Sequence, residues 1–230
     1  MLRDVLADLL AAVEAHEGIV LATDLATGEQ AVIRPLGEPG AAGASWPIEE
    51  ARRALLADRS GVVEASRGRV FLRPYNPPVR VVMVGAVHIA QALARFVADA
   101  GYRPVVVDPR AVFATETRFP DVELVRLWPE EALERIRPDH RTAVVTLSHD
   151  PKFDDPALAG ALGSRAFYVG ALGSRRTHGK RLERLRDRGI GDEALARIHA
   201  PVGLDIGART PEEIAISVLA EIVAALRGGA

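Results

Sequence analysis

The sequence predicts an α/β protein: a doubly wound parallel sheet preceded by a small α+β domain. Three observations predict it. From residue 79 onward, short β-branched runs alternate with helical patterns, as expected of successive βαβ units. The first unit, VMVGAVHIAQAL (82–93), passes from a strand through a glycine directly into an amphipathic helix, and PVVVDPR (104–110) places an acid at the end of the next strand. Ahead of this region stands PYNPP (74–78), with three prolines in five residues, a composition that interrupts regular structure.

The chain opens on an amphipathic helix, because Leu2, Val5, Leu6, Leu9, Leu10 and Val13 fall at three- and four-residue spacings. IVLAT (19–23) and QAVIR (30–34) flank Gly28 and predict a hairpin. PLGEPGAAGASWP (35–47) is a loop by composition, and a short helix follows over 49–57. GVVEAS (61–66) and RVFLRP (69–74) turn about Arg67-Gly68 as a second hairpin. Residues 1–73 are therefore expected to form the small α+β domain, 74–78 the linker and 79–230 the parallel-sheet domain.

In the second domain strands are expected near 79–84, 103–108, 122–127, 142–147 and 166–169. Helices are expected near 88–100, 129–137, 155–162 and 175–188. Such alternation puts helices on both faces of a parallel sheet, and the strand-glycine-helix turn makes the domain Rossmann-like. In the last helix Thr210 is placed to cap, Pro211 suits the first helical position and Glu213 completes a capping box. Its apolar stripe of Ile214, Val218, Ile222 and Leu226 is read as core packing or as a subunit interface.

A chain of 230 residues with 48% hydrophobic and 26% charged residues has ample material for a core and an ordinary soluble surface. A net charge of −2 gives no electrostatic footprint for nucleic acid or an anionic membrane. The absence of cysteine excludes disulfides, thiolate metal sites and a cysteine nucleophile. The N-terminal segment is charged, unlike a signal peptide, and no run approaches the ~18 apolar residues of a membrane span. A cytoplasmic protein is the expectation.

Five stretches carry candidate chemistry. In GAVHIA (85–90), Gly85 ends the first strand, Ala86 follows, and His88 opens a helix whose N-terminus offers N–H groups to an anion. The second glycine of a dinucleotide fingerprint is replaced by Val87, which stands against ordinary NAD(P) binding. Asp108 occupies the place where an acid meets a ribose hydroxyl, and Arg110 is placed either to clamp a phosphate or carboxylate or to pair locally with Asp108 or Asp121. In TLSHD (146–150), His149 and Asp150 resemble half of a general-base pair or two metal ligands, with ordinary turn chemistry as the alternative.

YVGALGSRRTHGKR (168–181) is the most specific stretch. Gly170 and Gly173 bracket the exit of the fifth strand, Ser174 caps a helix, and Arg175 and Arg176 lie in its first turn. Residues 162–189 hold eight Lys or Arg against two Asp or Glu. A glycine loop, a capping serine and two arginines at a helix start make an anion cradle. The later basic residues of this helix, Lys180, Arg181, Arg184, Arg186 and Arg188, fit a solvated face. Asp205, in PVGLDIG (201–207), is placed to receive a ligand hydroxyl or to cap locally.

Together GAVHIA, VVVDPR, RFPD (118–121), SHD (148–150), YVGALGSRRT, PVGLDIG and TPEEIA (210–215) make the chain resemble the xanthine dehydrogenase accessory factors, the XdhC/CoxI family. The resemblance runs over residues 79–226. It implies a chaperone that binds molybdenum cofactor (molybdopterin, with or without a nucleotide), helps its sulfuration and delivers it to a molybdenum hydroxylase apoenzyme of the xanthine dehydrogenase type. Sulfur transfer would then belong to a partner cysteine desulfurase, and this chain would have no turnover of its own. The family often has a glycine at the position of Val87 and a cysteine in its N-terminal domain, and both are missing here. Two alternatives stand beside this reading: an NAD(P)-dependent oxidoreductase using Asp108 and His149, and a partner-docking protein with a vestigial crevice. A homodimer is the expectation for an oligomer.

Overall fold

A computed structural model of the protein describes residues 3–37 and 45–228. Leu2 of the first expected helix and most of the expected 35–47 loop lie outside the described residues. The chain divides into two compact units, Met1–Pro77 and Pro78–Ala230.

The first unit is an antiparallel sheet with two helices. Helix α1 (Arg3–Glu14) leads into strands β1 (Ile19–Asp24) and β2 (Gln30–Ile33), and α2 (Ile48–Leu56) leads into β3 (Gly61–Ala65) and β4 (Gly68–Tyr75). The strand order is β2-β1-β4-β3. Val20, Ala22, Val70 and Leu72 join Ala51 and Leu55 of α2 in one apolar core. The prolines of 74–78 do not end the sheet where expected: Pro74 lies within β4, opposite Val20. The ladder with β3 ends at Leu72, so from Arg73 onward β4 is paired on one side only, a place where a strand tolerates proline.

Asp24 closes β1 and fastens this unit. Its carboxylate accepts the amides of Ala26 at 2.8 Å and Thr27 at 3.0 Å and Nε of Arg67 at 3.0 Å. Arg67 in turn lies 3.8 Å over the Trp46 ring. The Thr27 amide, then Arg67, then the Ala26 amide hold the Asp24 carboxyl down to about 2. A depressed carboxyl stabilises the folded state above its unfolded pKa, and that contribution is lost as pH falls through the folded value. The first unit should therefore lose stability as pH falls from about 4 to about 2, and Asp24→Asn should flatten that part of a plot of thermal midpoint against pH.

The second unit is a parallel sheet of β5 (Arg80–Val84), β6 (Arg103–Val107), β7 (Glu123–Val125), β8 (Thr142–Thr146), β9 (Tyr168–Ala171) and β10 (Ile198–His199). Its order is β10-β9-β8-β5-β6-β7, the doubly wound Rossmann-like order, which reverses direction between β5 and β8. Helices α3 (His88–Asp99), α4 (Pro129–Ile136), α5 (Pro151–Leu162), α6 (Arg175–Asp187), α7 (Asp192–Leu195) and α8 (Pro211–Arg227) complete it. One core cluster joins Val81, Met83 and Val145 to α3 and α8, and the other joins Val82, Val84 and Val144 to α4 and α5. Alternate residues of β5 and β8 thus feed opposite faces, as strand pleating requires.

Several expected boundaries move, among them those of α5, β7 and β9, and two small elements are added. Helix α5 begins at Pro151, four residues before the expected start, because Asp150 caps it by accepting the Lys152 amide at 2.9 Å and Pro151 fits the first turn. The fifth strand, β9, runs two residues beyond the expected end. Helix α7 and strand β10 are one turn and two residues long, too short for hydrophobic periodicity to register. The stripe of α8 resolves toward the core: Val218 and Ile222 are buried, and Ile214 and Leu226 pack against the same cluster. Thr210 and Glu213 form the expected capping box. Among the described residues no helix is long and apolar enough to cross a membrane.

Candidate functional site

The loops leaving β5, β6, β8 and β9 emerge at one edge of the parallel sheet, where open α/β sheets hold ligands. Gly85 sits at the reversal point with φ +109, and a Cβ there would stand 3.0 Å from both Cβ and N of Ser148. The loops after β5 and β8 therefore touch at the floor of the crevice, and only glycine lets them. No side chain caps α3, whose N-cap is Val87. The Val87 side chain instead packs against the core.

Asp108 and Arg110 are committed to each other. The fully buried Asp108 accepts the Ala86 amide at 2.9 Å, the Arg110 amide at 3.0 Å, and Nε and Nη2 of Arg110 at 2.9 and 2.7 Å. Burial opposes its charge, but the Arg110 guanidinium and these two amides outweigh burial and hold the carboxyl below its usual range. Of the readings open for Arg110, the structure shows the local pair with Asp108. The amide of Ala86, expected to be free for an anion, is taken by Asp108. Arg110 also lies 4.6 Å from the Phe113 ring centroid and 4.9 Å from that of Phe153, on which half-exposed Trp128 stacks at 5.1 Å.

The loops after β8 and β9 meet through buried charge. The Ser148 hydroxyl donates to Asp154 at 2.7 Å, and Nη2 of Arg181 approaches the same carboxylate at 3.5 Å. Nη2 of Arg181 also donates to the Leu172 carbonyl at 2.8 Å, which fastens the glycine loop to α6. Both charged side chains are 2% exposed. Burial raises the Asp154 carboxyl, against the opposing pull of Ser148 and Arg181, and burial lowers the Arg181 guanidinium. One residue along α5, Asp155 pairs with Arg184 at 2.5 and 2.9 Å.

The expected site residues fall into separate places. Ser174 caps α6 by accepting the Thr177 amide at 3.2 Å, and Gly173 takes φ +136 just before it. Arg175 and Arg176 are exposed in the first turn. His149 has φ 62 and faces the first turns of α6 across a shared cavity, while Asp150 is spent as the cap of α5. His88 lies on another groove, between α3 and residues 117–122. Gly170 is a strand residue of β9, not a loop residue, and a Cβ there would reach Val202 Cγ2 at 2.6 Å. Asp205 is exposed, and its side chain has no hydrogen-bond partner among the described residues.

Sequence reasoning misses Asp154 and Arg181, while Lys180 is exposed as a solvated face requires. A helix started at 155 excludes Asp154, and a solvated basic face is the wrong place for Arg181, which is buried. The signal that could have found Asp154 is Asp150-Pro151, a cap followed by a first-turn proline. It starts the helix early enough to bring Asp154 onto it beside Asp155.

The model of the XdhC Rossmann domain matches residues 81–222. The molybdenum cofactor insertion chaperone PaoD of Escherichia coli (strain K12) is 36% identical over 148 residues, which cover 64% of this chain and 40% of PaoD. A probable xanthine dehydrogenase component of Bacillus subtilis (strain 168) is 32% identical over 155 residues, 67% of this chain and 45% of that protein. The chain thus spans less than half the length of both relatives. A Bacillus halodurans crystal structure described as a xanthine dehydrogenase is similar with a TM-score of 0.69 and 25% identity, covering 98% of this chain and 65% of that one. The family match extends from β5 into α8 and takes in every loop of the crevice: the chain belongs to the XdhC family.

Proposed function

We propose that this chain is an accessory factor for a molybdenum hydroxylase of the xanthine dehydrogenase type, binding molybdenum cofactor and assisting its sulfuration and insertion. The observation that carries the reading is the 36% identity to the insertion chaperone PaoD over 148 residues. The geometry agrees with it. A phosphate-bearing pterin suits a crevice that has an uncapped α3 on one side and the basic start of α6 on the other. Gly85, Ala86, Asp108 and Arg110 would shape one side of the ligand site, and His149, Gly173, Ser174, Arg175, Arg176 and Asp205 the other; His88 lines a different groove, Asp150 caps α5 and Gly170 lies within β9. The hydroxylase apoenzyme and a cysteine desulfurase are the partners this role requires.

The test is equilibrium binding of molybdenum cofactor under anaerobic conditions, with NAD(P)H titrated in parallel. Saturable cofactor binding without NAD(P)H binding is expected. NAD(P)H binding alone would move the chain to the oxidoreductases. Binding of neither would leave a protein that only docks partners.

A further inference from the structure

Between the loop after β8 and the first turns of α6 lies a cavity of about 320 Å³, lined by His149, Asp154, Arg176, Lys180, Arg181 and Arg184 among others. Its charges do not balance. Arg184 is matched by Asp155. Arg181 has one carboxylate partner, Asp154, at 3.5 Å, well beyond the ~2.7–2.9 Å of a close charge-assisted bond. Among the described residues, Nε and Nη1 of Arg181 are buried without a hydrogen-bond partner, and the side chain is 2% exposed. The side chains of Arg176 and Lys180 have no hydrogen-bond or carboxylate partner among the described residues. A buried, under-compensated cation is costly, and an anion seated beside it relieves that cost.

The chemistry of the lining selects the anion. Ser174 satisfies the Thr177 amide, while the other amides of the first turn keep their outward direction and partial positive charge. Guanidinium forks and an ammonium around one concavity match tetrahedral oxyanions. With Arg176 and Lys180 free of carboxylates and Arg181 beneath them, a dianion is favoured over a single carboxylate.

We infer that this cavity seats a phosphate group, held directly by Arg176 and Lys180 above the buried Arg181. That the phosphate belongs to the molybdenum cofactor rests on the reading proposed above; the seat itself does not. A phosphomonoester and the phosphate of a nucleotide share this chemistry.

Isothermal titration at low salt with inorganic phosphate, and separately with molybdenum cofactor, tests the assignment. Three proteins are compared: the wild type, the Arg176→Ala/Lys180→Ala double variant, and Arg188→Ala at the far, exposed end of α6. The wild type should bind one phosphate saturably. The double variant should bind it at least about tenfold more weakly, as expected for lost charge-assisted bonds, and Arg188→Ala should stay within about twofold. No saturable binding, a double variant equal to the wild type, or an equal loss in Arg188→Ala would each overturn the seat. Cofactor affinity separates the two proposals. If the double variant loses phosphate and keeps cofactor, the cavity is not the cofactor's seat although the carrier reading stands. If phosphate binds to the wild type and cofactor does not, the seat holds and the carrier reading fails.

Discussion

Gly203→Ala should destabilise the second unit by about 2–5 kcal/mol, the sum expected for an unfavourable backbone conformation and an overpacked contact. Gly203 has φ +95, and a Cβ there would stand 2.4 Å from Ser217 Oγ and 3.0 Å from the Val218 amide nitrogen of α8. Backbone of a long helix cannot move aside as a flexible side chain would. The Gly203 amide also donates to Glu221 at 2.7 Å, and the same carboxylate accepts from the Tyr168 hydroxyl and lies 3.1 Å from Nδ1 of His199. Displacing residue 203 therefore disturbs a group that ties β9 and β10 to α8. Gly207→Ala is the natural comparison, because its φ is +73 but nothing lies within 4 Å of the added Cβ. It should cost only about 1–2 kcal/mol. Urea midpoints at unchanged slope measure both, and equal losses would show that the contact with α8 carries no energy.

Arg181→Met should cost about 3–5 kcal/mol, the usual result of leaving one partner of a buried ion pair behind. The stranded group is Asp154, which would keep the Ser148 hydroxyl but lose its cation. Its carboxyl is already raised by burial, and removing Arg181 should raise it further. A carboxyl with a raised folded pKa makes the folded state bind the extra proton, so its favourable share is present at low pH and is lost as pH rises. The deficit of Arg181→Met should consequently be smaller at pH 5 than at pH 8. Arg181→Met/Asp154→Leu should recover most of the loss at both pH values, since an apolar pair replaces the ionic one. A deficit independent of pH and not relieved in the double variant would place the cost in the lost bond to the Leu172 carbonyl instead.

The parallel sheet is legible in the sequence because its strands are short β-branched runs set between helical patterns, and because Gly85 stands where strand turns into helix. The small elements are not legible: β10 has two residues and α7 four, below any periodic signal. At the candidate site the sequence points to the loops that leave the sheet edge and to the cap of α6. Gly173, Ser174 and the arginines form a local motif, and Ser174 does cap α6. The buried Asp154–Arg181 pair joins residues 27 apart on two helices, and no spacing rule reaches across such a gap. The contact between Asp108 and the Ala86 amide is hidden differently. The sequence marks both residues for a ligand, while packing joins them to each other.

That last contact bears on how long a visitor stays. A ligand entering beside Gly85 meets one backbone donor fewer, because Asp108 already holds the Ala86 amide. A hydrogen bond is worth about 1 kcal/mol net, and affinity differences among related complexes fall mainly on dissociation. One missing bond thus shortens the residence time roughly fivefold. For the carrier proposed above, early departure would be an advantage that tighter binding would remove.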